Sequence, residues 1–186
     1  MRRGEARTAF SKAALTGECA NGHWQSTPRG HVHIRCGRCL RCQKRRSSAL
    51  VGRMLGELEV NPGVFITGTL NDDALGSRDW LRPDVCQVET KRLRERWKYH
   101  GFNANLIVWE RGEATGRPHF HAALYGPAVL DLPSKDKGSN LHVPWWRFGL
   151  VNVKALTAQA ARYMTGYMFA AEKQSLGIFH SRSHRL

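Results

Sequence analysis

Residues 105–125 read NLIVWERGEATGRPHFHAALY and contain two apolar segments on either side of a turn-rich stretch. Residues 105–110 and 119–125 carry the β-branched and aromatic side chains that strands favour. The stretch RGEATGRP between them is short, and short links join antiparallel neighbours. This part of the sequence therefore predicts two adjacent antiparallel strands.

The flanking sequence predicts a mixed fold. Apolar residues at helical spacing predict helices over residues 40–60, from Pro83 to a stop at Gly101, and over residues 157–171. VFITGTL at residues 64–70 predicts a strand, residues 150–153 predict a short one, and residues 135–144 look irregular. The second helix should turn toward the core Val85, Val88, Leu93 and Trp97. We expect an α+β fold, in which helices cover one face of an antiparallel sheet, of the ferredoxin-like or RNA-recognition-like (RRM-like) kind.

The composition indicates a folded protein with an anionic partner. The 186 residues include 29 Lys and Arg against 15 Asp and Glu, a net charge of +14, and 41 % are hydrophobic. Such a hydrophobic share supplies a core, and the surplus of cations favours nucleic acid over other partners. No apolar run reaches the roughly 18 to 20 residues of a membrane helix, and the start MRRGEARTAF lacks the apolar segment of a secretion signal. We therefore expect a cytosolic protein without membrane association.

The triplet His119-Phe120-His121 indicates a metal site. Residues two apart in a strand point to the same face, so both imidazoles project together while Phe120 faces the other side. Glu110, at the end of the preceding strand, can lie across the ladder and complete a set of two histidines and one carboxylate. The alternative is a polar strand face that carries two histidines without a metal.

Tyr163 and Tyr167 lie four residues apart on the last predicted helix and therefore share a face. Beside a metal-bound phosphate, a tyrosine hydroxyl is a competent nucleophile, and a second tyrosine can perform a second transfer. The alternative is an aromatic stripe that packs in the core.

The cysteine-rich segment predicts structural zinc. Cys36, Cys39 and Cys42 follow one another at intervals of three, and Cys19 lies upstream, which together could form a four-thiolate site. Further candidate ligands are His23, His31 and His33. The alternative is a set of free thiols beside a basic helix.

Two basic blocks are candidates for phosphate contacts. They contribute the DNA-binding candidates Lys44, Arg45 and Arg46 from the first helix and Lys91, Arg92 and Arg94 from the second. The alternative for both is an ordinary solvated helix face. Trp145 and Trp146 could stack on unpaired bases or belong to the core.

Several segments, in this order, resemble the HUH endonucleases, and more narrowly the replication initiators of single-stranded DNA bacteriophages, the microviruses. They are CGRCLRC at residues 36–42 with the basic helix after it, FITGTL at 65–70, KRLRERW at 91–97, ERG at 110–112, GRPHFHAALYG at 116–126 and ARYMTGY at 161–167. The resemblance implies an HUH nuclease domain over residues 19–175, in which residues 19–60 hold the cysteine-rich segment and a basic helix. Residues 1–18 are expected to form a flexible basic arm and residues 176–186 a basic tail.

The resemblance implies a rolling-circle replication initiator that nicks and joins single-stranded DNA at an origin through a 5′-phosphotyrosine. It assigns His119, His121 and Glu110 to Mg²⁺ or Mn²⁺ and both tyrosines to attack on phosphorus. It also implies a host replication helicase and polymerase as partners and the host bacterial cytoplasm as the location. Where the family often has a cation before the second tyrosine, this chain has Gly166, so we expect Arg162 or Lys173 to supply that charge, or activity to be lower.

Two other functions fit parts of the sequence. A zinc-stabilised DNA-binding regulator would use the cysteines and the charge but leaves the histidine and tyrosine pairs unexplained. A related single-strand transposase or relaxase uses similar catalytic residues, although the cysteine triplet ahead of a basic helix favours the phage initiator.

Overall fold

The computed structural model describes residue 19 and residues 21–133, 139–169 and 179–182, with the backbone alone at 104, 105, 139, 167–169 and 179–182. The chain divides into two compact units, Met1–Ala49 and Leu50–Leu186. We refer to residues 19–49 as the N-terminal unit and to the second as the sheet unit.

The N-terminal unit contains a β-hairpin that the sequence patterns did not predict. Strands β1 (His23–Thr27) and β2 (Gly30–Ile34) pair in antiparallel register, from Thr27 opposite Gly30 to His23 opposite Ile34. Helix α1 (Leu40–Val60) begins in this unit and has the predicted bounds. Because HWQST and GHVHI are polar and exposed, they lack the alternating apolar pattern by which a strand is recognised.

The sheet unit is built on six antiparallel strands in the order β6-β7-β3-β5-β4-β8. The strands are β3 (Gly63–Thr69), β4 (Ala104–Arg111), β5 (Pro118–Tyr125), β6 (Ser139–Val143), β7 (Trp146–Ala155) and β8 (Phe179–Arg182). The adjacent strands predicted from residues 105–125 are confirmed as β4 and β5. Strand β5 lies inside the sheet with β3 on its other edge, so the histidine triplet is held by two ladders.

Helices cover both faces of this sheet, so the predicted α+β fold is confirmed but the prediction of helices on one face is wrong. Helices α2 (Asp72–Ser77) and α3 (Pro83–Tyr99) and the 3₁₀ helix Pro127–Asp131 pack on the face that buries Trp109 and Phe120, which we call the tryptophan face. The end of α1 and helix α4 (Ala158–Phe169) pack on the face that carries Phe65 and Val108, which we call the histidine face. Both faces need covers because side chains of both are apolar.

The tryptophan face holds the larger core. Its tryptophans include Trp145 and Trp146, only 3 % and 1 % exposed, so both belong to the core and are not available for stacking on bases. Phe120 reaches so close to β3 that a Cβ at Gly68 would meet its ring at 2.1 Å, which explains a glycine in the middle of a buried strand.

Some predicted boundaries and core positions differ. Helix α3 buries Leu93 and Trp97 as expected, but Val85 is half-buried and Val88 is 48 % exposed, because Glu89 takes the inward position. Residues 135–144 include the strand β6, and the predicted strand at 150–153 is the central part of β7. Strand β8 lies within the predicted basic tail. Among the described residues, no helix combines the length and apolar character needed to cross a lipid bilayer.

Candidate metal and tyrosine site

Strand pairing brings the predicted metal ligands together on the histidine face. Glu110 of β4 lies directly opposite His119 of β5, and His121 follows two residues later on the same face. Phe120 points into the tryptophan face, as predicted. The sheet thus aligns one carboxylate and two imidazoles without any help from a loop.

The ligand-type atoms of this group converge closely. Glu110 Oε1 lies 2.9 Å from His121 Nε2 and 3.1 Å from His119 Nε2, and the two Nε2 atoms are 3.2 Å apart. Glu110 and His121 are buried, at 3 % and 6 % exposure. The three atoms therefore form a small triangle of potential donors beneath the surface.

The far nitrogens of the imidazoles fix which nitrogen faces this triangle. His119 Nδ1 lies 3.1 Å from the carbonyl oxygen of Arg117, which can only accept, so Nδ1 carries the hydrogen. In the neutral ring the Nε2 lone pair is then free for a metal. His121 Nδ1 lies 2.9 Å from Thr67 Oγ1 of β3, and Phe65 stacks on the His121 ring with centroids 5.2 Å apart.

Burial and hydrogen bonding act in opposite directions on these groups. Burial raises the pKa of Glu110, but hydrogen bonds with His119 and His121 outweigh it and lower that pKa to about 2. Burial lowers the pKa of His119, yet the bond to Glu110 raises it above the ordinary value. At His121 burial prevails and the pKa falls. Glu110 is thus ionised and His121 neutral near pH 7, the forms in which each can bind a metal.

The donor set fits a divalent cation. Two ligands about 2.1 Å from one ion at roughly a right angle are about 3 Å apart, which matches the 2.9–3.2 Å separations here. In addition, Glu110 Oε2 is buried and has no hydrogen-bond partner among the described residues. A bare carboxylate oxygen beside two imidazoles is costly without a cation to satisfy it.

Helix α4 places Tyr163 beside the triangle. The helix begins after Thr157, whose Oγ1 accepts the Ala160 amide at 3.2 Å, and it packs on the histidine face through buried Ala161 and Met164. The Tyr163 hydroxyl donates to Glu110 Oε1 at 3.4 Å, and its ring meets the His121 ring edge-on at 5.3 Å. Because Tyr163 is 44 % exposed, it is not a core residue. The backbone of Tyr167 follows one turn later in the same helix, but its side chain lies outside the described residues.

Sequence patterns did not identify Thr67 or Lys154 as part of this site. Thr67 alternates with Phe65 along β3, and such a polar residue in a buried strand was the available signal. Lys154 of β7 lies opposite Phe65 on the histidine face, and its charge contributes to the lowered pKa of His121. A cavity of about 500 Å³ opens beside His119 and is lined by Thr67, Thr69, Leu70, Gly112, Thr115, Arg117 and Pro118.

The four predicted zinc ligands also come together, in the N-terminal unit. The Sγ atoms of Cys19, Cys36, Cys39 and Cys42 all lie within 4.8 Å of one another, with Cys19 Sγ 3.3 Å from Cys36 and 3.7 Å from Cys39. Four sulfurs at 2.3 Å from a tetrahedral ion are about 3.8 Å apart. Backbone amides of Cys39 and Arg38 lower the pKa of Cys36 to about 6, which favours the thiolate.

The candidate DNA-binding cations lie on helices and not on the strands that hold the triangle. Lys91 and Arg92 are exposed on α3, which covers the tryptophan face, and Arg94 is half-buried there. Arg92 pairs with buried Glu89 at 2.7 Å. In the N-terminal unit, exposed side chains of α1 include Lys44, Arg45 and Arg46.

Comparison with known proteins identifies a family. A search of the curated proteins and a search of the solved structures each gave no significant match. The family model described as replication-associated protein ORF2 matches residues 63–173, more than half of the chain and the whole span from β3 through α4. This match confirms the resemblance to replication proteins that the motifs indicate. The chain belongs to the replication-associated protein ORF2 family.

Proposed function

We propose that this chain is a rolling-circle replication initiator that nicks and rejoins single-stranded DNA at an origin by an HUH-type mechanism. The observation that carries the proposal is the hydroxyl of Tyr163, 3.4 Å from the carboxylate that also contacts His119 and His121. A nucleophile beside a cation site is what phosphoryl transfer to tyrosine requires. Membership of a replication-associated family supports DNA as the substrate.

Glu110, His119 and His121 would hold the cation, Mg²⁺ or Mn²⁺. One carboxylate and two imidazoles leave other coordination positions open, and right-angle separation of the ligand atoms suits octahedral ions. When bound, the cation would polarise the scissile phosphate and stabilise the negative charge that develops on it.

Tyr163 would be the first nucleophile. Its Oη attacks phosphorus, a new phosphotyrosine bond forms, and the bond from phosphorus to the 3′ oxygen breaks. The phenolic proton passes to solvent and the departing oxygen takes one up, so the exchange leaves a free 3′ hydroxyl and a 5′ phosphate on the chain. The partly exposed ring makes the hydroxyl accessible to DNA and water while Glu110 orients it.

Tyr167 would perform the second transfer. A helix places side chains four residues apart on one face, so after the first cut a second phenol lies one turn away. Attack by the 3′ hydroxyl of the displaced strand on the phosphotyrosine then reverses the chemistry and closes a circle without a nucleotide cofactor. The first free 3′ end would serve a host polymerase, with a host helicase opening the duplex, in the bacterial cytoplasm.

Lys154 would supply the cation that Gly166 removes. It lies on the histidine face near enough to His121 to affect its pKa, whereas Arg162 is exposed on α4 and Lys173 lies outside the described residues. The cavity beside His119, with hydroxyls and the guanidinium of Arg117 in its lining, would receive a nucleotide next to the scissile phosphate.

The cysteine cluster would hold a structural zinc ion. Its sulfur separations suit four thiolates around one tetrahedral ion, and it has no open position for substrate. A regulator that only binds DNA would need this cluster and the basic residues, but it would not need the convergence of Glu110, His119, His121 and Tyr163.

A covalent adduct tests the proposal. The full chain is incubated with end-labelled single-stranded oligonucleotides of random sequence and Mn²⁺, and the products are separated on a denaturing gel. We expect a protein–DNA band that needs the metal and maps to Tyr163 by peptide sequencing. An adduct on neither Tyr163 nor Tyr167, or cleavage that leaves no adduct, would overturn the mechanism.

A further inference from the structure

Charge is distributed very unevenly along the chain. Residues 19–49 contain no Asp or Glu, although the whole chain has 15, and they include seven cations: Arg29, Arg35, Arg38, Arg41, Lys44, Arg45 and Arg46. Even after four thiolates and one Zn²⁺ contribute a net charge of about −2, the N-terminal unit stays strongly positive. A surface of this kind attracts phosphates.

The hairpin of this unit presents aromatic rings on one face. Directly opposed residues of antiparallel strands share a face, so the pairs Trp24–His33 and Ser26–His31 lie together, while Val32 and Gln25 lie on the other side. Trp24 is 65 % exposed, although an indole is normally among the more buried side chains. The face therefore offers one large aromatic surface and two imidazoles to solvent.

Contacts within the hairpin hold these rings in position. The Trp24 and His33 rings lie 5.2 Å apart, and Ser26 Oγ lies 3.1 Å from His31 Nδ1. Gly22 leaves room for the His33 ring, since a Cβ there would meet Nε2 at 2.4 Å. At the tip, Thr27 Oγ1 donates to the Gly30 carbonyl at 2.7 Å and accepts the Arg29 amide at 3.3 Å.

The cysteine cluster closes the hairpin at its base. Cys19 precedes β1 and Cys36 and Cys39 follow β2, so the cluster joins both ends. An isolated two-stranded hairpin is marginal in water, and this one is almost wholly exposed. The cluster, and not a core, is what stabilises the exposed aromatic face.

We propose that the Trp24 face of the hairpin is a second site for single-stranded DNA, in which Trp24 stacks on an unpaired base and the surrounding cations contact phosphates. Stacking needs a base whose face is open, so this site selects single strands over duplex, while the cations serve either. Trp24 belongs to a different unit from Tyr163, and the inference does not depend on strand cleavage.

Binding measurements on substitutions at Trp24 test the site. The probe is a labelled oligothymidylate of about 16 nucleotides, and a duplex of the same length is the comparison. We expect Trp24→Leu to weaken single-strand binding roughly 5- to 150-fold, the factor that corresponds to stacking of one base, and to change duplex binding less than about twofold. Trp24→Phe, which keeps a ring, should stay near wild type.

Val32→Ala is the matched control, because Val32 is 46 % exposed on the opposite face of the same hairpin. It should bind both probes like wild type. Zinc content of every variant shows whether the cysteine cluster is intact. In wild type, photo-crosslinking to oligonucleotides that contain 5-iodouracil should label the peptide that contains Trp24, independently of whether a variant folds.

Three results would overturn the proposal. They are unchanged single-strand affinity in Trp24→Leu with zinc retained, an equal loss of single-strand and duplex affinity, and crosslinks that avoid the hairpin. The absence of a tyrosine adduct on the nicking gel would not affect it, so failure of the second site and failure of the proposed nicking are distinguishable.

Discussion

Replacing Tyr163 by phenylalanine separates chemistry from packing. The change removes one hydroxyl and keeps the ring that meets His121 edge-on at 5.3 Å and Phe65 at 6.4 Å. If Tyr163 is the first nucleophile, Tyr163→Phe should form no covalent adduct at this position, because phenylalanine has no oxygen to attack phosphorus.

The same change should hardly affect stability. The hydroxyl makes a bond of 3.4 Å to Glu110, well beyond the usual O–H···O range, and the side chain is 44 % exposed. A good hydrogen bond contributes about 0.5–1.5 kcal/mol, so a long and partly hydrated one should contribute less than about 0.5 kcal/mol. We expect the free energy of unfolding to change by no more than that.

Tyr125→Phe provides the opposite pattern as a control. Tyr125 is fully buried, and its hydroxyl donates to the Met54 carbonyl at 3.1 Å. Removing that hydroxyl should cost about 1–2 kcal/mol, since a buried acceptor loses a partner. Tyr125 lies at the other end of β5 from His119, so nicking by the folded fraction should persist.

Urea unfolding and the denaturing adduct gel, run on both variants, measure the two effects. Loss of the adduct in stable Tyr163→Phe, with the adduct retained in destabilised Tyr125→Phe, is the expected pair of results. An adduct of wild-type yield in Tyr163→Phe that maps elsewhere than Tyr167 would refute the assigned role of the site.

Three further predictions concern the metal sites and helix α4. Substituting His119 or His121 by alanine should abolish Mn²⁺-dependent nicking and leave most single-strand affinity, as measured by gel and by fluorescence anisotropy; full nicking in both would contradict the ligand assignment. Cys39→Ser should lower the zinc content per chain measured by atomic spectroscopy, whereas Cys86→Ser, a change in the α3 core, should not; equal zinc in both would show that the cluster is not the site. Gly166→Ala should raise the free energy of unfolding by about 0.5–1 kcal/mol in urea denaturation, because a Cβ there meets no described atom within 4 Å; a loss of stability would mean that the space is needed.

Local pattern was sufficient for the parts of the molecule that repeat a simple period. The strands of residues 105–125 and the helix at 40–60 follow periods of two and of about 3.6, and the structure has them where expected. The pairing of Glu110 with His119 followed from the short turn between two strands. These features depend on neighbours in sequence, which is why they could be predicted.

Features that depend on distant partners could not be read in this way. On α3, Val88 is the apolar residue, yet Glu89 is buried because Arg78 and Arg92 neutralise it at 3.0 and 2.7 Å. Thr67 joins the site only because β3 pairs with β5. The β1–β2 hairpin owes its place to cysteines on both sides of it, and periodicity carries no trace of that constraint.

The one-to-one pairing of Glu110 with His119 limits how this protein can change over evolutionary time. If β4 slipped by one residue against β5, Trp109 would move to the histidine face and the carboxylate would enter the tryptophan core. The turn over residues 112–117 can exchange its residues, or grow outward into solvent, without that penalty. A length change absorbed into the ladder removes the site in one step, so substitution is a tolerable route of drift at this turn and insertion into its strands is not.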